Sequence, residues 1–121
     1  MIILPIKKSA DFKKNNQIGK KIHTHSFIFI CCKTNQFYNF DGTYKKAKVF
    51  CRFGVVVSKS VSKKSVERNL IKRRLRSAFR LSFDLKSNRD YIFIAKQPIL
   101  KFDYLKIKQD IDYALTKVAN L

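Results

Sequence analysis

Acidic side chains are scarce in this chain, with 8 Asp and Glu against 27 Lys and Arg. The eight are also scattered: Asp11, Asp41, Glu67, Asp84, Asp90, Asp103, Asp110 and Asp112. A nuclease that holds its own metal ions gathers carboxylates around them, and nothing in this spacing does so. Asp110 and Asp112 come nearest, yet two residues apart on a helix they point away from each other. A Ser or Cys nucleophile with a general base at a recognisable spacing is missing as well. The residues carry binding chemistry without a catalytic constellation.

Cysteine is equally sparse, and Cys31, Cys32 and Cys51 are odd in number with two adjacent. That argues against a disulfide framework. All three lie in apolar, strand-like runs, where Cys behaves as a small hydrophobe, and a reducing, cytoplasmic setting is expected. His23 and His25 would complete a zinc set, but no C-x2-C spacing is present, and adjacent Cys31 and Cys32 point to opposite faces of a strand. The histidines are better read as strand-edge residues able to add phosphate contacts. With 3 Gly and 2 Pro in all, no flexible linker divides the chain, and a single domain over residues 1–121 is expected. The apolar run Met1 to Ile6 is broken by Pro5. Neither a secretory segment nor a spanning run of ~20 apolar residues is therefore expected, and neither a membrane nor a small-molecule substrate is an expected partner.

What the chain has in excess is positive charge on a foldable background. Its formal net charge is +19 and its pI about 10.2, while 45% of residues are hydrophobic and 11 are Phe. Such a charge repels itself and implies a polyanionic partner; the apolar content rules out a disordered basic tail. Ser9 is placed to cap a helix through Gln17 that ends before Gly19. Strands are expected over Lys20–Thr24, Ser26–Cys32, Lys48–Ser58 and Asp90–Lys96, the last ended by Pro98. The near-continuous apolarity of Lys48–Ser58 suits the inside of a sheet, and Asn35–Lys46, with its Asp41-Gly42 turn signal, reads as a loop. From Asp103 a final helix places Tyr104, Ile107, Ile111, Leu115 and Val118 on one face. The pattern is an α+β sandwich with helices against a small mixed sheet.

The most informative segment is SKSVSKKSVERNLIKRRLRSAFR, from Ser58 to Arg80. It carries Lys59, Lys63, Lys64, Arg68, Lys72, Arg73, Arg74, Arg76 and Arg80 against one acid, Glu67. On a helix starting near Ser62, at about 100° per residue, Asn69, Arg73, Arg76 and Arg80 fall within roughly 60°, with Lys72 at the edge. Ile71, Leu75, Ala78 and Phe79 occupy the arc a core would cover. Arginine chelates phosphate in a way lysine cannot, and like charges at this spacing weaken a helix that has no ligand. Nucleic-acid binding is the expectation. Phe27, Phe29, Phe50 and Phe53 either fill the core or stack on splayed bases; Phe12, beside Lys13 and Lys14, suits an exposed cleft.

These residues resemble a family. FGVVVSKSVSKKSVERNLIKRRLRSAFR is similar to the signature of the bacterial ribonuclease P protein component, a Gly-containing strand and a V-S-K-K-type turn followed by R-N-R-I-K-R on a basic helix. LPIKKSADFKK resembles the family's first helix, and DYIFIAKQP its last strand. The resemblance implies an α-β-β-β-α-β-α domain, like one domain of a small-subunit ribosomal protein, with a left-handed βαβ crossover against the usual rule. It implies partnership with a catalytic RNA that uses Mg2+ to cut precursor tRNA and release the 5′ leader, the protein binding that RNA and the leader. Arg68, Asn69, Lys72, Arg73 and Arg76 match the basic motif. Phe12 and Ile30 match the leader cleft, with Lys59 and Arg52 as basic positions near it. Two departures stand out. Leu70 occupies the third position of R-N-R, with Arg74 one turn later as the replacement charge, and Asn16 stands where a cleft aromatic is common. A structural RNA-binding protein, such as a small ribosomal protein, is the competing reading. A DNA-binding module fits less well because the basic helix has no helix-turn-helix neighbour.

Overall fold

Apolar residues at alternate positions of the strands put one half of their side chains on each face of a sheet, and the two faces here are built differently. The computed structural model describes residues 2–7, 9–33, 50–82, 85–86 and 89–119. Its elements are β1 (Ile2–Pro5), α1 (Ser9–Ile18), β2 (Lys20–His23), β3 (Phe27–Lys33), β4 (Phe50–Val56), α2 (Ser65–Arg80), β5 (Arg89–Ala95), a 3-10 turn (Gln97–Lys101) and α3 (Tyr104–Lys117). The five strands form one sheet in the order β1-β4-β5-β3-β2. β1, β4 and β5 run parallel, and β3 is antiparallel to both β5 and β2. β4, α2 and β5 make up the parallel β-α-β unit.

The α+β class is as expected, and β1 is the addition. Met1 to Ile6 was expected only to be too short for a membrane or secretory segment. It instead supplies an edge strand, with Ile3 opposite Cys51 and Ile6 N–H donating to the Phe53 carbonyl at 2.9 Å. This strand is what makes β4 an interior one. The expected Asn35–Lys46 loop lies outside the described residues. The basic helix begins at Ser65, three residues later than expected. Ser62 is not its N-cap: its hydroxyl donates to Glu67 at 2.7 Å and accepts from Lys64 N at 3.2 Å, closing the turn ahead of the helix. Asp103 does cap α3, accepting from Lys106 N at 2.9 Å. Tyr104 is 38% exposed and does not join the face that Ile107, Ile111, Leu115 and Val118 bury.

On one face Phe27, Phe29, Cys31, Cys51, Phe53, Tyr91 and Phe93 meet Leu75 and Phe79 of α2 and Ile107 and Ile111 of α3. The ring centroids of Phe93 and Phe27 lie 4.9 Å apart, edge to face, and those of Phe53 and Phe79 lie 4.8 Å apart. Such pairs add about 0.5–1.5 kcal/mol beyond burial. Phe27, Phe29 and Phe53 are therefore core residues and unavailable for base stacking.

Among the described residues the other face carries only α1, and it is pinned by charge. Arg52 is 5% exposed and Asp90 3%. Arg52 Nε donates to Asp90 Oδ1 at 2.7 Å, an outer guanidinium nitrogen donates to Oδ2, and the other reaches Asp11 of α1 at 3.2 Å. Asn15 donates to Asp90 Oδ2 at 2.9 Å and to the Asp11 carbonyl at 2.8 Å. At the end of α1 a Cβ on Gly19 would sit 2.5 Å from Ile30 Cγ2, so only glycine lets the chain lie this close to β3.

Two outcomes follow. Arg52→Met leaves Asp90 buried without a counter-charge, held by Asn15 alone, and should cost about 3–5 kcal/mol by urea denaturation, most of it recovered when Asp90→Leu is added; equal losses in the single and double variants would contradict the pairing. The second concerns alkaline pH. Burial pushes the Cys31 thiol from 9.0 to about 12 and Cys51 to about 11, and raises the Tyr91 phenol from 10.0 to about 12. The unfolded chain loses these protons first, so stability should fall as pH rises from about 9 towards 12, by up to ~1.4 kcal/mol per unit for each group. Cys31→Ala with Cys51→Ala should flatten that slope.

Candidate nucleic-acid interface

α2 separates its two faces as its periodicity requires. Ile71, Leu75, Ala78 and Phe79 are buried, while Asn69, Arg73, Arg76 and Arg80 are exposed along the opposite side. Among the described residues none of these three arginines has a hydrogen-bond or ion-pair partner. Lys59, Lys63 and Lys64, in the turn leading to α2, are exposed too. Arg68 is committed to the fold, with a guanidinium nitrogen donating to the Ser62 carbonyl at 2.9 Å. Lys72 and Arg74 are half-buried, and Leu70 is 38% exposed. Leu70 and Arg74 stand only about 40° apart around the helix. Beside the C-terminal half of α2, Arg76 and Arg80 overhang a groove of about 290 Å³ against Ile3 and Pro5 of β1, with Phe79 at its base. A row of unpaired guanidiniums beside turn lysines is suited to an extended polyphosphate.

The part of the sheet that α1 leaves open forms a second surface. Val56 of β4 pairs with Ile94 of β5, and Ile94 with Ile28 of β3. Directly paired residues share a face, so these three make an apolar row beside α1. Phe12 stands at its margin, half-buried, with its ring over Gly54. Two expected cleft residues need correction. Ile30 is 1% exposed, covered by the close approach of Gly19, and packs with Ile6 and Ile92. Arg52 is buried and shared between two carboxylates, so it positions α1 and presents no free cation. Val56, Ile28, Ile94 and Asn15 were missed. The first three were signalled by the alternation itself, since they are the apolar residues that point away from the aromatic core. Nothing local marked Asn15, whose partner Asp90 is 75 residues away.

Cys31 and Cys32 do point to opposite faces, Cys31 into the aromatic core and Cys32 towards α1, half-buried. Asp110 and Asp112 also diverge, Asp110 turned inward to Ser26 and Asp112 outward to Lys108. His23 ends β2, an edge strand, and His25 lies in the turn after it.

An α+β sandwich with an arginine row unpaired among the described residues and one partly open sheet face suits a small, basic protein of the nucleic-acid-binding class. The comparisons narrow it further. The family model described as Ribonuclease P matches residues 4–119. The ribonuclease P protein component of Geobacillus kaustophilus is 30% identical over 117 residues, covering 96% of this chain and 87% of that one. The ribonuclease P protein of Staphylococcus aureus superposes with a TM-score of 0.73 at 28% identity, covering 96% of this chain and 94% of that one. The protein from Thermotoga maritima shares the fold, with a TM-score of 0.73 at 19% identity over 93% of this chain and 96% of that one. The chain belongs to the ribonuclease P protein family.

The margin of the open surface gives a direct test. A Cβ at position 54 would meet the Phe12 ring at 2.8 Å. Gly54→Ala should therefore cost about 1–3 kcal/mol in urea denaturation, and adding Phe12→Leu should recover most of it. A neutral Gly54→Ala would show that Phe12 does not rest there.

Proposed function

We propose that this chain acts as the protein subunit of a ribonuclease P ribonucleoprotein, binding the catalytic RNA and the 5′ leader of precursor tRNA while the RNA does the chemistry. The observation that carries this reading is the exposed Asn69, Arg73, Arg76 and Arg80 row, without counterions among the described residues, in a chain of this family. The arginines and the turn lysines neutralise phosphates of the catalytic RNA. The row Val56, Ile94 and Ile28, with Phe12 beside it, receives unstacked leader nucleotides, whose bases prefer an apolar or aromatic floor.

Mg2+ needs oxygens free to join a near-octahedral shell, and several carboxylates among the described residues are taken up by other partners. Asp11 and Asp90 are shared with Arg52, Asp110 with Ser26 and Lys106, and Glu67 with Ser62. Among the described residues no group of three or more His, Cys, Asp or Glu can hold a metal ion. In this reading Mg2+ stays with the RNA, and hydrolysis of the phosphodiester falls to the RNA subunit. Among the described residues no helix is long and apolar enough to cross a membrane.

One assay separates this reading from that of a purely structural RNA-binding protein. Added to a bacterial ribonuclease P RNA at low Mg2+, the chain should restore 5′ cleavage of precursor tRNA; RNA binding without rescue would overturn the proposal. If about six phosphates are neutralised, affinity should fall roughly 10³-fold between about 50 and 200 mM salt. Arg73→Ala should weaken RNA association by about 1–3 kcal/mol, and an unchanged affinity would remove Arg73 from the interface.

A further inference from the structure

At the end of the sheet where β2 finishes and β3 begins, a cavity of about 440 Å³ is lined by His23, His25, Lys96, Lys106, Asp110 and Tyr113. Its side chains are mostly donors. Neither imidazole has a hydrogen-bond partner among the described residues, and the Tyr113 hydroxyl has none either. Each imidazole carries at least one N–H in any protonation state. Lys96 Nζ donates to the Thr24 carbonyl at 2.7 Å and Lys106 Nζ to Asp110 at 3.1 Å. An ammonium has three N–H groups, so each lysine retains donors. The one acid, Asp110, is 8% exposed and turned inward, its other oxygen accepting from Ser26 Oγ at 2.5 Å. Its charge is met on both oxygens. What remains facing the cavity is a set of N–H and O–H groups with one net positive charge, since Lys106 and Asp110 offset each other and Lys96 does not meet an acid, a surround for an oxyanion.

The position of the cavity says which oxyanion. His23 pairs with Ile28, Ile28 with Ile94, and Ile94 with Val56. These four residues form one row on the α1 face, spanning about 14 Å at ~4.8 Å per strand. His23 is thus the last member of the apolar row and the rim of the cavity. A single strand lying along the row crosses β2 into the cavity with its backbone.

We infer that this cavity is a phosphate site for single-stranded RNA, receiving a linkage of the leader beyond the segment on the apolar row. The inference rests on the leader-binding reading above. It predicts that leader length matters: extending a short leader by several nucleotides tightens binding of precursor tRNA to the full chain bound to its RNA, because the extension reaches this site.

The test compares the intact chain with His23→Ala/His25→Ala and with Tyr113→Phe. Neither imidazole makes a hydrogen bond or ring contact among the described residues, and Tyr113→Phe keeps the ring that lies under Lys117 Nζ, whereas Lys96 and Lys106 are tied to Thr24 and Asp110. With the long leader, affinity should fall about 3–10-fold for the double variant, as for a partly exposed charged hydrogen bond, and less for Tyr113→Phe. With the short leader it should not change. A neutral methylphosphonate placed in the extension should remove the gain for the intact chain and change nothing for the double variant, and His25→Lys should restore the gain. Millimolar inorganic phosphate should perturb the His25 and Tyr113 resonances in the free chain. Equal long-leader affinities for intact and variant chains would overturn the site, as would phosphate perturbation elsewhere only. If affinity for the short leader is also independent of Val56, Ile94 and Phe12, it is the leader reading that fails instead.

Discussion

Arg52 holds two carboxylates far apart in the chain, Asp90 in the neighbouring strand and Asp11 in the first helix. Removing such a group from water is expensive unless every polar atom finds a partner, and here the guanidinium and Asp90 are both met, with Asn15 adding a third hand on Asp90. One consequence is mechanical. α1 is fastened across β4 and β5 by this cluster and by Phe12 over Gly54, and at its end by the approach of Gly19 to β3; the row from Val56 to Ile28 lies beside it.

A second consequence is electrostatic, and it extends over the molecule. Every acid among the described residues is engaged inside the fold: Asp11 and Asp90 with Arg52, Glu67 with Ser62, Asp103 at the head of α3, Asp110 with Ser26 and Lys106, and Asp112 with Lys108. The described acids are thus spent on architecture. Among the described residues Arg73, Arg76 and Arg80 are left without counterions and repel one another. Affinity built this way is long-ranged and salt-sensitive, whereas the apolar row acts only at contact. In the proposed function the basic helix attracts the RNA at a distance and the apolar, aromatic-edged row fits the unpaired leader.

The buried thiols and Tyr91 illustrate the same economy on the other face. Cys31 and Cys51 behave as small core residues whose pKa values rise because a thiolate there would lose its hydration. They pack against Phe rings and the helices, and the sheet between them and α1 keeps that dry core separate from the charged layer.

Much of this was legible without coordinates. The 3.6-residue period of residues 65–80 alone separates Ile71, Leu75, Ala78 and Phe79 from Asn69, Arg73, Arg76 and Arg80, because a helix converts spacing into direction. The apolarity of β4 likewise announced an interior strand, and the scarcity of acids announced a polyanionic partner. The tertiary fold alone revealed whatever depends on residues distant in the chain. Arg52 looked like a free cation until Asp90, 38 residues on, turned out to face it in the next strand. Ile30 looked like a cleft residue until Gly19 brought the chain down over it. β1 was too short and too Pro-marked to be recognised until β4 offered it hydrogen bonds. Local pattern encodes which way a side chain points; what it meets there is set by chain segments whose proximity no spacing rule contains.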